Sequence, residues 1–181
     1  MIVLDPVVTW TLRLALALLF AGAAWHKLGA PGEFAAAVRA YRLVPNPIGA
    51  PVVAMLVFGE ALATGLLLGP AWYRLGAALA AALLALYAGA VAVNLARGRR
   101  DLDCGCAGPG ARRPVSGALV VRNLVLLSGA LVLLGPGTER LLTWIDVTTV
   151  LAATATLGAV WGAVVGLEVN RPALARIRGV A

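Results

Sequence analysis

Charge is scarce in this chain. Asp, Glu, Lys and Arg make up 13% of its 181 residues, against roughly a quarter in an ordinary soluble domain. The residue types that usually mark a soluble enzyme are few as well: one histidine, two cysteines and 6% aromatics. A single histidine excludes a multi-histidine metal centre, and two cysteines one residue apart exclude the disulfide framework of a small secreted fold. The net charge of +7 does not indicate nucleic acid, because the basic residues sit in short segments between apolar runs, with no basic helix or aromatic platform to track a strand. Positive loops and anionic lipid account for them better.

What is abundant is apolar surface, at 61% of residues. A globular core of this length could not bury it, whereas a bilayer accepts helices that are apolar on every side. Five runs are long enough to be spans, at about 7–28, 50–69, 72–95, 117–135 and 147–167. Small residues such as Gly59, Gly65, Gly76, Ala81 and Ala82 let helices approach closely. The expectation is an all-α, single-domain, polytopic helical bundle. Arg13, the apolar 14–20 stretch and Ala21-Gly22-Ala23 loosely imitate a cleavable signal peptide. Against that, the apolar run starts well before Arg13, and Trp25, His26 and Lys27 suit the interfacial end of a retained helix.

Pro31 and Pro45-Asn46-Pro47 bracket a segment from Glu33 to Leu43 whose Phe34, Val38 and Tyr41 predict a short interfacial helix between the first two spans. Gly69-Pro70 predicts a tight turn and antiparallel neighbours. Gly135-Pro136-Gly137 and an interfacial segment around Leu141 to Trp144 separate the last two spans. On one face lie Lys27, Arg39, Arg42, Arg97, Arg99, Arg100, Arg112, Arg113, Arg171, Arg176 and Arg178; on the other lie only Arg74 and Arg140. The positive-inside rule then predicts an external N-terminus, with the C-terminus and the polar loop at about 97–114 in the cytoplasm.

That loop contains Cys104-Gly105-Cys106. A disulfide needs a Cα separation of roughly 4.4–6.8 Å, and Gly105 permits the tight bend that would bring the two cysteines there. So small a ring would be strained, and strained disulfides exchange rather than staple. The loop's arginines favour thiolate while Asp101 and Asp103 oppose it. The bland alternative is a pair of unreactive small residues, but the chain's only cysteines standing together in a polar loop favour redox chemistry. Zinc wants four ligands, and Cys104, Cys106 and His26 fall one short unless Asp101 or Asp103 joins; Cu(I) would lack a methionine path. No metal is assigned.

Glu60 lies mid-span, where an ionised carboxylate needs a partner, and Arg13 is the expected one. A structural ion pair is the ordinary reading, and a proton relay or substrate contact the sharper one. His26, Arg122 and Asn123 end or begin helices on the cysteine face and could surround the pair as supporting residues, His26 and Arg122 dividing evenly between this role and lipid anchoring. Lys27 is expected to be a headgroup anchor.

Trp25-His26-Lys27-Leu28, Phe34, Tyr41-Arg42-Leu43-Val44-Pro45 and Glu60 followed by Gly65-Leu66-Leu67-Leu68 resemble a DoxX-like pattern. Asp103-Cys104-Gly105-Cys106-Ala107-Gly108 followed by Arg122-Asn123-Leu124 resembles the cysteine loop and next helix of the MauE type. The chain is thus similar to the MauE and DoxX-like membrane proteins, with Ala107 where an aromatic residue is expected. The resemblance implies a small helical bundle linked to thiol-disulfide exchange with a thioredoxin-like partner, in the maturation of disulfide-containing proteins. Cys104 and Cys106 would then be the redox pair of a thiol-disulfide oxidoreductase. Electrons could pass to or from a membrane quinone, although no sequence motif marks a quinone site. The other class of function is a non-catalytic scaffold, transporter-like or metal-binding bundle in which Glu60 matters more than the cysteines. A disulfide-forming partner would meet the loop outside the cytoplasm, in conflict with the charge rule. The sequence carries no signal of oligomeric state.

Overall fold

The computed structural model describes residues 3–45, 48–102, 115–138 and 140–177, with the side chains of 168–169 and 171–177 outside the description. Six helices follow in order: α1 (Pro6–Gly29), α2 (Pro31–Tyr41), α3 (Gly49–Leu68), α4 (Tyr73–Ala96), α5 (Gly117–Val132) and α6 (Trp144–Ile177). The chain is an all-α polytopic membrane bundle. α1, α3, α4 and α6 are long and apolar enough to cross a bilayer. α5 has 16 residues, roughly 24 Å at the α-helical rise, short of a hydrocarbon core of about 30 Å. Its run ends early because the chain turns through Leu133 and Leu134 ahead of Gly135-Pro136. The segment expected to lie at the interface near Leu141 to Trp144 has no regular structure over 141–143, and α6 starts at Trp144.

Local chemistry sets the helix ends. Asp5 caps α1 by accepting from the Val7 N–H at 2.8 Å, and Pro6 takes the first-turn position where a missing N–H costs nothing. α2 stops at Arg42, which adopts the left-handed conformation at φ 49°. α3 stops before Gly69-Pro70.

α1 packs against α3 and α6, α3 against α4, and α4 against α5. Leu16, Phe20, Leu56, Ala63, Leu67, Ala77, Ala80 and Leu84 form the main buried cluster. The α3–α4 hairpin closes most tightly at Gly76, where an added Cβ would stand 2.6 Å from the Leu67 backbone nitrogen and 2.9 Å from the Leu66 carbonyl carbon. Large apolar side chains such as Leu18, Phe58, Val125, Leu131 and Val160 face outward, whereas Arg13, Lys27, Glu60, Asn94 and Asn123 are buried. Polar groups inside and apolar groups outside is the distribution lipid demands.

Opposite the end that carries α2, the chain's N-terminal segment is tied to the α5–α6 connection. Leu4 donates to Pro136 O at 2.9 Å and accepts from Thr138 N at 2.9 Å. Arg140 bridges Asp5 and Asp146 with both sides of its guanidinium, at 2.7–3.2 Å. Hydrogen bonds from Arg140, then the Val7 N–H, hold the Asp5 carboxyl below its ordinary range, and the two acids push Arg140 up.

Candidate functional site

The cysteine segment leaves and rejoins the bundle at a defined base. Gly98, at φ 74°, lets the chain turn back at the end of α4. Arg99 then reaches across to α2, donating to Ala40 O at 2.7 Å, Tyr41 O at 3.2 Å and Asn94 Oδ1 at 3.1 Å. The Ala40 and Tyr41 carbonyls belong to the last turn of α2, where a guanidinium complements the helix dipole. Fully buried Asn94 holds itself in place by donating to Ala90 O at 3.0 Å. Val115 N donates to Leu102 O at 2.9 Å, closing the segment between them. Val91, Val115 and Leu119 pack under this closure with Tyr41, Leu95, Leu102 and Val120. Cys104, Gly105 and Cys106 lie outside the described residues, two to four positions past Leu102.

A second polar cluster sits deeper. Glu60 is fully buried and Lys27 is 4% exposed. The Lys27 ammonium donates to Glu60 Oε1 and to the Tyr87 hydroxyl, the latter at 3.3 Å, and Tyr87 donates to the same Oε1 at 2.7 Å. The ammonium also lies 4.7 Å from the centre of the Phe34 ring and 4.9 Å from that of Tyr87. Among the described residues, the buried Glu60 Oε2 finds no hydrogen-bond partner. α1, α2, α3 and α4 thus each contribute one side chain, and α2 covers the cluster with Phe34.

The expected pairing of Glu60 with Arg13 is not the one formed. Side chains on a helix lean toward its N-terminus. Glu60 therefore points toward the start of α3, where the antiparallel α1 ends and presents Lys27. Arg13 points the other way and meets the open end of α3, donating to Leu67 O at 2.8 Å and Leu68 O at 3.1 Å. It is sandwiched by Trp10 at 3.8 Å and Tyr73 at 4.8 Å. Lys27, expected as a headgroup anchor, is a buried partner instead.

Of the proposed supporting residues, His26 is exposed at the end of α1. Arg122 stacks over Trp161 of α6 at 4.9 Å, and Asn123 is buried on α5. Arg99 counts in the sequence only as one of the basic residues of its face, and Tyr87 carries no assigned role there. The signal for Arg99 was its position just after Gly98; Tyr87 sits seven residues, about two helical turns, before Asn94 on the same face of α4. Among the described residues, no three His, Cys, Asp or Glu side chains gather as metal ligands.

A family model described as methylamine utilisation protein MauE matches residues 5–136, which run from the cap of α1 through the cysteine segment to the end of α5. The chain belongs to the MauE family. It is 45% identical to the methylamine utilization protein MauE of Paracoccus denitrificans over 130 residues, 71% of this chain and 69% of that protein. The namesake in Paracoccus versutus is 39% identical over 70% of this chain and 68% of its own length, and that of Methylorubrum extorquens 41% over the same shares. No solved structure matches. Both clusters fall within the part matched by the MauE model, whereas α6 lies beyond it.

Proposed function

We propose that this MauE-family chain is a membrane thiol-disulfide redox protein in which Cys104 and Cys106 cycle between dithiol and disulfide with a thioredoxin-like partner. The observation that carries this reading is the base of the cysteine segment. The Leu102 to Val115 hydrogen bond and the Arg99 clamp on α2 hold both ends of the segment at one end of the bundle, a fixed platform from which a short redox motif can meet a soluble partner. In the exchange a thiolate of the reduced protein attacks the disulfide of the oxidised one and forms a mixed disulfide. The second thiolate of the attacking pair resolves it, so two electrons move and one disulfide is conserved. The relatives are named for methylamine utilisation, and on this reading the client is a disulfide-containing protein of that process.

The excess of basic residues at this end favours a cytoplasmic loop, where the pair would take electrons from a cytoplasmic thiol donor. Single Cys104→Ala and Cys106→Ala variants should each trap the partner as a reducible, higher-mass adduct through the cysteine that remains. Full partner turnover with either variant would sink the reading. Labelling with a membrane-impermeant thiol reagent in intact and lysed cells assigns the side: labelling only after lysis is the cytoplasmic result.

The buried Lys27–Glu60–Tyr87 cluster favours a second reading, a transporter-like or scaffolding bundle in which the cysteines are incidental. Activity that survives loss of both cysteines and fails in Glu60→Gln would select it.

A further inference from the structure

α2 lies across the end of the bundle with Phe34, Val38 and Tyr41 turned inward against the two buried clusters. At its C-terminal end a cleft of about 520 Å³ is lined by Arg39, Arg42, Leu43, Val44 and Pro45. Arg39 and Arg42 are exposed, and neither forms an ion pair or a side-chain hydrogen bond among the described residues. The acid on α2, Glu33, stands at the opposite end of the helix. The left-handed turn at Arg42, closed by its N–H on Arg39 O at 3.1 Å, folds Leu43–Pro45 back beside the two guanidiniums.

The C-terminal end of a helix ordinarily repels an anion. Here Arg99 occupies the Ala40 and Tyr41 carbonyls, so that negative end is already neutralised. What remains is two planar, multi-donor cations beside apolar side chains at the level where a helical bundle leaves the hydrocarbon. Guanidinium forks match phosphate oxygens in geometry and charge. We infer that this cleft binds a phosphate oxyanion, presented by an anionic lipid headgroup or by soluble phosphate. The site is independent of the redox reading of the cysteines.

Native mass spectrometry of the full chain tests it, with phosphatidylglycerol, phosphatidylcholine and inorganic phosphate as probes. Wild type should retain phosphatidylglycerol or inorganic phosphate in preference to phosphatidylcholine, and whichever of the two is retained identifies the source. Arg39→Gln/Arg42→Gln should weaken that retention about thirty-fold, from roughly 1 kcal/mol per cation near an anionic group. Arg39→Lys/Arg42→Lys should recover part of it, because charge returns without the fork. Arg97→Gln/Arg100→Gln removes the same charge from the same end of the bundle and should leave retention unchanged. Equal loss in that control, or no preference over phosphatidylcholine in wild type, would overturn the inference.

Discussion

Replacing Lys27 by methionine isolates the buried pair. The substitution keeps most of the side-chain volume and removes the ammonium, so among the described residues Glu60 retains the Tyr87 hydroxyl on Oε1 and no partner on Oε2. A carboxylate with no solvent exposure then lacks its counter-ion inside the bundle, where an unpaired charge is costly. Breaking a buried pair from one side costs about 3–5 kcal/mol, whereas replacing both members with apolar groups is nearly neutral. Tyr87→Phe removes the hydroxyl that donates to Oε1 and accepts from Lys27, two hydrogen bonds that in membrane proteins average about 0.6 kcal/mol each. The expected order is therefore Lys27→Met far below wild type, Tyr87→Phe slightly below, and Lys27→Met/Glu60→Leu close to wild type. Equilibrium unfolding in mixed micelles with increasing SDS resolves differences of this size, which amount to roughly two to four decades in the unfolding constant. A single variant no less stable than the double variant would refute the assignment of Lys27 as the charge partner of Glu60.

Gly76→Ala should destabilise the bundle by about 1–3 kcal/mol, because the new methyl meets the α3 backbone and the hairpin has to open. Gly65→Ala, with nothing within 4 Å of its added Cβ, is the control and should be neutral or slightly stabilising in the same unfolding assay. Arg13→Met leaves the Leu67 and Leu68 carbonyls without their donor and should cost about 1–3 kcal/mol; Arg13→Lys should fall between it and wild type, since an ammonium cannot span both carbonyls as the fork does. Asp5 has a folded-state pKa below its ordinary value of 3.8, so its contribution is present above that value and disappears as the pH falls through the lower, folded one. Amide protection at residues 140–146, taken relative to intrinsic exchange rates, should fall on acidification below about pH 4, and Asp5→Asn should remove only the part of that pH dependence that Asp5 carries, because Asp146 is a second carboxylate on the same guanidinium.

Most of the helical framework could be read from apolar run length, because a bilayer leaves backbone polar groups no partner outside a helix. The amphipathic spacing of Phe34, Val38 and Tyr41 likewise marked α2, which the structure starts two residues earlier, at Pro31. The partner of Glu60 was not legible in the same way. Counting residues along antiparallel spans gives the depth of each Cα, but the tilt of Cα–Cβ bonds toward each helix's N-terminus shifts a long side chain by several ångströms, and that shift separates Lys27 from Arg13 as the partner. Run length also overlooked Arg99, whose role depends on where the end of α2 lies in space. The cysteines were conspicuous from spacing alone.

The ties among Leu4, Asp5, Pro136, Thr138 and Arg140, together with the packing of α1 on α6, bear on the order of assembly. A chain made from its N-terminus places α1 in the membrane well before Arg140 and α6 exist. During that interval α1 can acquire its α3 surface, including Lys27 against Glu60 and Arg13 against the end of α3, but neither its cap clamp nor its contact with α6. Of the six helices described, α1 is thus made before the others yet fully enclosed only after α6, and synthesis has to pass Trp144 before the bundle can close around it.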